Sequence, residues 1–262
     1  MAGNLSLFTT EEFEESLSAI VKTLVVPPEV GPCNKPQAIL LGGQSGAGKT
    51  TLHGLLTRTI PGGVIVINGD EYRSRHPHYH ELDARYGAEA VTYTASWAGK
   101  MTEALIDEFS LAGFNLIIEG TLRTSEVPIK TATLLRKRGY DVSLALMAVK
   151  PEISLISCQI RYELMRIAGT VPRATDPAHH NKIIEDIVNN LEVLEQSGLF
   201  DEIRLFSRTG TCLFPSDQEQ VNTPASHVLQ EILFGPWTSE ERDHFAFLQS
   251  QLSALQEQNK SS

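Results

Sequence analysis

The chain has 262 residues, is 41% hydrophobic and carries a formal net charge of −10 at pH 7. This size and apolar fraction suit a globular protein with a substantial core. The negative charge disfavours broad binding of nucleic acid or of an anionic membrane, because both need a positive surface field. Local arginine clusters could still bind a small anion.

The cysteine pattern and the N-terminus indicate a cytoplasmic protein. The three cysteines are odd in number and far apart, with no CxxC pair, as is typical of a reducing compartment. Residues 1–15 lack the basic and apolar regions of a signal peptide, and no apolar run approaches the roughly 20 residues that span a bilayer. We therefore expect neither a membrane nor a nucleic acid as partner.

Short apolar runs alternate with stretches of helical periodicity along the chain. Thr9 and Thr10 can cap a first helix. The predicted strands are QAILLGG, GGVIVING, FNLIIEG, YDVSLALMAV and, as the last one, FDEIRLFS. The predicted helices between and after them are TTLHGLLTR, YTASWAGKMTEALIDEFSLAG, VPIKTATLLRKRG, PEISLISCQIRYELMRI, a helix from Asp176-Pro177 to about residue 196, SHVLQEILFG and SEERDHFAFLQSQLSALQEQ.

This alternation predicts an α/β fold, with a parallel sheet flanked by helices on both faces. No linker or internal repeat divides the sequence, so we expect one domain over residues 1–262. Its core would cover about 36–215, with helical additions at both ends, including C-terminal helices at about 224–258. The sequence assigns no role to the proline-rich stretch after the first helix.

A phosphate-binding motif follows the first predicted strand. GGQSGAGKT contains G-x-x-x-x-G-K-T and precedes a predicted helix, which is the context that the motif requires. Glycines let successive backbone N–H groups turn toward phosphate oxygens, and the helix adds its positive N-terminus. The motif predicts a P-loop fold that binds ATP and Mg²⁺. The nucleotide-binding residues would be Gly43, Gln44, Ser45, Gly46, Ala47, Gly48, Lys49, Thr50 and Thr51, with the hydroxyl of Thr50 on the metal.

Three classes of P-loop protein compete: a small-molecule kinase, a GTPase-type switch and an ATPase motor. The guanine-reading NKxD motif is missing, because Asn181-Lys182 is followed by two isoleucines. The apparatus of a motor is not evident either. Phosphoryl transfer to an acceptor remains, and it needs a base at the acceptor hydroxyl and cations at the γ-phosphate.

Two carboxylates follow predicted strands at the edge where ligands bind in open α/β sheets. Asp70 comes after VIVING and could accept the proton of the acceptor. Glu119 comes after NLII and could hold Mg²⁺ directly or through water. The alternative for both is a helix cap or a solvated turn.

Polar residues elsewhere could complete an acceptor pocket. Thr121 and Arg123 follow Glu119 in a basic turn. Arg161 and Arg173 flank a Gly/Pro-containing stretch that is typical of a lid closing over phosphates, although an ordinary helix connection would look the same. Spacing places Glu103 on a solvated helix face.

His76, His78 and His80 alternate in HPHYH. Zinc is conceivable, because side chains two apart share a face in an extended segment, but no fourth ligand is evident. The preferred interpretation is a polar loop lining the acceptor pocket, with Arg73 and Arg75 beside it.

These motifs resemble those of the zeta toxins, the kinase components of epsilon–zeta type toxin–antitoxin systems. The resemblance covers residues 36–215 in family order, with Asn68 standing where the family usually has aspartate. The matching stretches are GGQSGAGKTT, NGDEYRSRHPHY, AGKMTEAL, LIIEGTLRT, QIRYELMR and PRATDPAHH.

The resemblance implies an ATP-dependent kinase that phosphorylates the 3′-hydroxyl of UDP-N-acetylglucosamine or related UDP-amino sugars and so blocks peptidoglycan precursor synthesis. It makes Asp70 the base and places Lys49, Arg161 and Arg173 on the transferring phosphate. It assigns the sugar nucleotide to Glu103, Thr121, Arg123 and Thr131, against the solvated-face interpretation of Glu103. It also implies a small helical antitoxin that occludes the nucleotide site. From the residues alone, a kinase with another acceptor and a nucleotide-dependent binding switch remain open.

Overall fold

The computed structural model describes residues 5–25, 30–170, 175–215 and 223–260. Within these ranges the chain forms α-helices, two short 3-10 helices and a six-stranded sheet. The strands are β1 (Gln37–Gly42), β2 (Ile65–Asn68), β3 (Leu116–Glu119), β4 (Asp141–Met147), β5 (Glu202–Phe206) and β6 (Cys212–Phe214). The α-helices are α1 (Thr10–Leu24), α2 (Lys49–Thr59), α3 (Tyr79–Tyr86), α4 (Ala90–Tyr93), α5 (Ala95–Leu111), α6 (Glu126–Lys137), α7 (Pro151–Ile167), α8 (Pro177–Gln196), α9 (Ala225–Phe234) and α10 (Ser239–Lys260), and the 3-10 helices are Gly69–Arg75 and Gly87–Glu89.

The sheet confirms the predicted α/β class. Its strand order is β2-β3-β1-β4-β5-β6, and neighbouring strands among the first five in this order all pair in parallel. One prediction about the sheet is wrong: FDEIRLFS is not the last strand, because β6 turns back and pairs antiparallel with β5. A hairpin needs only a tight turn, whereas each parallel pairing needs a crossover through a helix.

Two apolar cores lie on opposite faces of the sheet. Along β1, Ala38 and Leu40 belong to one core and Ile39 and Leu41 to the other. Successive side chains of a strand point to opposite faces, so a continuous apolar run is needed when both faces are covered. Full burial of one such leucine or isoleucine contributes about 1.5–3 kcal/mol. The QAILLG run is thereby explained.

Several helix starts have the capping residues that the sequence predicts. The Thr9 hydroxyl accepts from the N–H of Glu12, whose carboxylate accepts from the N–H of Thr9 in return. Pro151 begins α7, and Asp176 caps α8 by accepting from the N–H of Ala178 at 3.0 Å. These contacts satisfy N–H groups that have no partner within the helix.

The segment after β2 is helical, whereas its sequence pattern predicts a polar loop. A 3-10 helix at Gly69–Arg75 is followed by α3, a second 3-10 turn and α4. The apolar positions in this segment are too few and too irregular to give a clear helical period. These short helices pack beside α5 and carry Asp70 at their start.

The C-terminal helices are fastened to the rest of the fold. Lys150, buried after β4, donates to the Gly235 carbonyl at 2.7 Å. On α10, the Asn259 amide donates to the carboxylate of Glu163 on α7. Helix α10 therefore packs along the helix that carries Arg161. In the part of the chain that the structure describes, no helix combines the length and apolarity needed to cross a bilayer. The three cysteines are free thiols.

Candidate active site

The predicted phosphate loop lies between β1 and the start of α2. Three glycines have positive φ there: Gly43 at 137°, Gly46 at 79° and Gly48 at 102°. A Cβ on Gly46 would lie 2.0 Å from the Ser154 carbonyl oxygen of α7. Only glycine fits such a backbone without strain or clash. The loop forms a glycine cradle in front of a helix N-terminus, as anion binding requires.

The remaining loop residues divide between packing and exposure. The fully buried Gln44 amide donates to the Val149 carbonyl at 2.8 Å and to the Ser154 hydroxyl at 3.3 Å. Ala47 is also fully buried. In the first turn of α2, Thr50 and Thr51 are exposed, where a ligand at the cradle could reach them. The Gln44 side chain therefore anchors the loop, and of Gln44 only the backbone is left to contact a nucleotide.

Lys49 lies across the mouth of the loop. Its Nζ donates to the Gly43 carbonyl at 2.7 Å and to the Gln44 carbonyl at 3.2 Å, and it lies 3.8 Å from Glu119 Oε1. Burial lowers the pKa of Lys49, and the nearby carboxylates of Glu119 and Asp70 oppose this by raising the pKa. A buried ammonium that donates mainly to backbone carbonyls can exchange these hydrogen bonds for hydrogen bonds to a phosphate oxygen.

Glu119 is the last residue of β3, the strand that lies between β1 and β2. It pairs in register with Leu41 of β1 and with Asn68 of β2. Its side chain is only 14% exposed, and its Oε2 lies 3.0 Å from His53 Nε2. That contact is short, but His53 Nε2 makes no hydrogen bond. The carboxylate therefore stands between the phosphate loop and the end of β2.

Asp70 begins the 3-10 helix after β2. The Asn68 side chain caps this helix by accepting from the Asp70 N–H at 3.1 Å. The carboxylate is 63% exposed, and Arg73 Nε donates to its Oδ1 at 2.8 Å. Asp70 is close enough to Lys49 to raise the pKa of that amine. The structure thus places the predicted base near the phosphate loop.

Of the two predicted lid arginines, one can be placed. Arg161 lies exposed on α7 and is near enough to Lys49 to lower the pKa of that amine. Arg173 lies outside the described residues. Arg161, Glu119 and Asp70 therefore all lie close enough to Lys49 to affect the pKa of its amine.

The turn after β3 has an unusual backbone. Leu122 has φ 51°, a positive value that is uncommon for a residue with a side chain. Its side chain is buried, and its carbonyl accepts from the Asn190 amide of α8 at 2.9 Å. Thr121, which is half-buried, and Arg123, which is exposed, flank this anchored residue. Such conformations persist when the surrounding structure fixes them, and they cluster at functional sites.

Glu103 and Thr131 lie on neighbouring helices. Glu103 of α5 is 67% exposed and forms an ion pair with Lys130 of α6 at 2.7 Å. Thr131 follows Lys130 and is half-buried. The exposed position agrees with the solvated face that spacing predicts, and the ion pair brings Glu103 beside the helix that carries Thr131.

The three histidines do not form a metal site in the described part of the chain, which contains no group of three His, Cys, Asp or Glu suited to a metal. The prediction that they line a polar loop is wrong for His76. Its ring is buried against Phe8 and Trp97, at centroid distances of 5.9 and 5.3 Å. His76 thus packs the segment after β2 against α5 and against the residues that precede α1.

Sequence reasoning named Arg73 only as a pocket-lining residue and missed its contact with Asp70, and it missed His53 and Arg208 altogether. Arg73 holds Asp70, His53 of α2 contacts Glu119, and Arg208 after β5 donates to the Gly46 carbonyl of the phosphate loop. Helical spacing signals His53, because it lies four residues after Lys49 on α2. Arg208 gives no local signal, since its contact spans 162 positions in sequence.

The phosphate loop, the buried lysine and the carboxylates at the ends of two neighbouring strands are typical of P-loop nucleotide-binding proteins. In this one, acidic side chains lie at the carboxyl edge of the sheet beside the loop.

Comparison with known proteins narrows this class. A family model described as Zeta toxin matches residues 28–219. Toxin PezT of Streptococcus pneumoniae is 43% identical over 251 residues, which is 95% of this chain and 98% of the relative. Toxin zeta of Streptococcus pyogenes is 36% identical over 230 residues, covering 87% and 79%. The chain belongs to the zeta toxin family.

A solved structure agrees with this assignment. A chain from the characterisation of the PezAT chromosomal toxin–antitoxin system of Streptococcus pneumoniae superposes with a TM-score of 0.87 at 40% identity. The match covers 97% of this chain and 99% of that chain. The family resemblance and the fold class expected from the sequence are therefore both confirmed.

Proposed function

We propose that this chain is an ATP-dependent kinase and the toxin of a bacterial toxin–antitoxin pair. Its substrate would be UDP-N-acetylglucosamine or a related UDP-amino sugar, phosphorylated at the 3′-hydroxyl of the amino sugar. The product could not serve peptidoglycan precursor synthesis. Family membership supports the toxin assignment, and the site chemistry supports phosphoryl transfer.

The single observation that carries the proposal is the grouping of Lys49, Glu119, Asp70 and Arg161. Each of the other three affects the pKa of the buried Lys49 amine. A switch needs a phosphate loop but has no need of an exposed carboxylate beside it, whereas a kinase needs a base for its acceptor.

The proposed step moves one phosphoryl group. The acceptor oxygen forms a bond to the γ-phosphorus of ATP while the bond from that phosphorus to the β–γ bridging oxygen breaks. Asp70 takes the proton of the acceptor hydroxyl, and ADP leaves with the bonding electrons. Lys49 and Arg161, with Arg173, would bind the oxygens of the transferring group as negative charge redistributes over them.

Thr50 and Glu119 fit a magnesium ion. A hydroxyl in the first turn after the phosphate loop and a carboxylate on the adjacent strand are oxygen ligands of the kind that Mg²⁺ prefers. Bound there, the ion would neutralise charge on the β- and γ-phosphates. His53 lies beside this carboxylate, with 3.0 Å between His53 Nε2 and Glu119 Oε2.

The acceptor would lie on the side of Asp70 away from the core. Thr121 and Arg123 would border this side from the turn after β3, and Glu103 and Thr131 would border it from α5 and α6. Arg123 suits a diphosphate, and Glu103 and the two threonines suit sugar hydroxyl and amide groups.

An antitoxin partner is proposed from the PezAT relative, which is described as part of a toxin–antitoxin system. A small helical protein that covers the nucleotide site would block ATP. The test is a pull-down with the product of the neighbouring reading frame, followed by competition with ATP.

The kinase assay tests the substrate. Pure protein, ATP, Mg²⁺ and each member of a UDP-sugar panel are incubated, and a product heavier by one phosphate is followed by mass spectrometry. Lys49→Met is the matched control. Product with the wild type alone supports the proposal, and absence of product with every UDP-sugar overturns the substrate class. ATP binding without any transfer would instead favour a binding switch, and transfer to another acceptor would favour a different small-molecule kinase.

A further inference from the structure

Arg208 lies against the phosphate loop although it is far from that loop in sequence. It belongs to the turn between β5 and β6, which is closed by the Ser207 N–H donating to the Thr211 carbonyl at 2.9 Å. Its guanidinium donates through Nη1 to the Gly46 carbonyl. A Cβ on Gly48 would lie 3.4 Å from Arg208 Cγ, so the arginine stem packs directly on the loop.

The charge of Arg208 is not balanced by the protein. Among residues 5–25, 30–170, 175–215 and 223–260, no carboxylate forms an ion pair with Arg208. The ion pairs in this part of the chain are all formed by lysines, arginines or histidines other than Arg208. Burial lowers the pKa of Arg208, which means that the surroundings disfavour its charge. A half-buried cation without an anion is costly unless something else supplies the anion.

The neighbours that affect the pKa of Arg208 include no carboxylate in the part of the chain that the structure describes. The Cys158 thiol opposes the effect of burial by raising this pKa. His244 of α10 lies close enough for the charge of Arg208 to lower the pKa of its imidazole further, after burial. A histidine beside an arginine adds no negative charge. The loop itself presents backbone N–H groups and the positive end of α2. Three sources of positive potential thus meet at one loop of a chain whose net charge is −10.

We propose that Arg208 is a nucleotide-binding residue, and that its guanidinium contacts the phosphate chain of the triphosphate held by the loop at residues 42–50. A guanidinium has five N–H donors, and one contact to Gly46 leaves donors for phosphate oxygens. The inference rests on the nucleotide-binding part of the proposed function and not on the acceptor. The turn between β5 and β6 would then be a wall of the ATP site.

Equilibrium binding of ATP, ADP, AMP and adenosine to the full chain tests this, because it does not depend on turnover. Arg208→Met removes the charge at similar length, and Arg208→Lys keeps the charge. Arg58→Met, at the exposed end of α2, is the matched loss of one positive charge. Loss of a charge-assisted phosphate contact should weaken ATP binding about 10- to 100-fold in Arg208→Met. Arg208→Lys should recover much of this, and Arg58→Met should bind as the wild type does.

Salt and ligand dependence separate a phosphate contact from a merely structural one. With a phosphate contact, ATP binding by Arg208→Met depends less on salt, and the loss grows from AMP to ATP. If Arg208 only shapes the loop through Gly46, the lysine variant fails to rescue and the salt dependence stays unchanged, which overturns the proposal. An equal loss for adenosine and ATP also overturns it. Failure of the wild type to bind ATP would sink the proposed function itself, whereas unchanged binding in Arg208→Met sinks this inference alone.

Discussion

Arg73 ties the carboxylate of Asp70 to the backbone of α4. Its Nε donates to Asp70 Oδ1 at 2.8 Å, while its Nη1 donates to the Val91 carbonyl at 2.8 Å. The Thr94 hydroxyl, which is fully buried, accepts from the same Nη1 at 3.3 Å. A planar guanidinium that bridges Asp70 and the Val91 carbonyl restricts the rotamer of Asp70 and engages only Oδ1 of its carboxylate.

Replacing Asp70 tests its role as the base. Asp70→Ala should reduce kcat for the UDP-sugar by roughly 10²- to 10⁴-fold, the usual contribution of a general base, while ATP binding is kept. Steady-state kinetics and ATP titration measure the two effects. Glu71→Gln, one residue along the same 3-10 helix, is the control and should keep near-normal turnover. Near-normal turnover in Asp70→Ala would remove Asp70 from its role.

Arg73 should behave as a positioning residue. Arg73→Met frees the Asp70 carboxylate, and we expect kcat to fall about 10- to 100-fold, because small misplacements of reacting groups are costly. The KM values for ATP and for the sugar should change little. Arg73→Lys keeps the charge but cannot bridge Asp70 and Val91 with one planar group, so it should recover only part of kcat. A change confined to KM would instead mean that Arg73 binds substrate.

Two glycines of the nucleotide region form a matched pair for stability. Gly46→Ala places a methyl group 2.0 Å from the Ser154 carbonyl oxygen at φ 79°, so we expect the free energy of unfolding to fall by about 1–3 kcal/mol and ATP binding to be lost. Gly54 lies inside α2, and a Cβ added there would meet no atom beyond its own helix backbone within 4 Å, so Gly54→Ala should raise the free energy of unfolding by roughly 0.5–1 kcal/mol. Urea denaturation measures both. Equal effects would contradict the close packing of the loop on α7.

Stability should fall in mild acid through His76. Burial lowers the pKa of His76, and its Nδ1 accepts from the His78 N–H at 3.1 Å, which requires an unprotonated nitrogen. As the pH falls below about 6.5, the unfolded chain binds a proton that the folded chain resists, so the free energy of unfolding decreases. The decrease ends once the folded state is also protonated.

His76→Asn should flatten this pH dependence, since asparagine keeps an acceptor but does not titrate. Chemical denaturation between pH 5 and pH 8 gives the comparison. Burial also lowers the pKa of His244, so the variant should remove part of the slope and not all of it. An unchanged slope in His76→Asn would show that His76 does not titrate differently in the two states.

The sequence predicted well what local chemistry decides. The apolar runs of β1 to β5, Pro151 at the start of α7 and Asp176 as the cap of α8 all depend on neighbours a few positions away. The phosphate loop is also local, because its glycines and Lys49 lie within seven residues. Asp70 and Glu119 could be named as site candidates because the carboxyl ends of parallel strands share an edge.

What the sequence could not predict depends on distant contacts. The three residues of β6 are too few to show a period, and their partner is set by the turn at Ser207–Thr211. Burial of His76 follows from the docking of Phe8, which precedes α1, and of Trp97 on α5. Arg208 reaches Gly46 because β1, which precedes the phosphate loop, pairs with β4, and β4 pairs with β5, which precedes Arg208.

Strand β3 acts as a spacer of fixed width. The strand that feeds the phosphate loop and the strand that feeds Asp70 do not pair with each other, because β3 lies between them. Two inter-strand spacings separate them, about 10 Å. The separation between the strand that leads to the phosphate loop and the strand that leads to Asp70 is therefore set by backbone pairing, and changes in either loop do not alter it. Substitutions in the loops can change where their side chains point, but only a change of strand register could change how the two strand ends are placed. A one-residue slip would also carry Glu119 to the opposite face of the sheet.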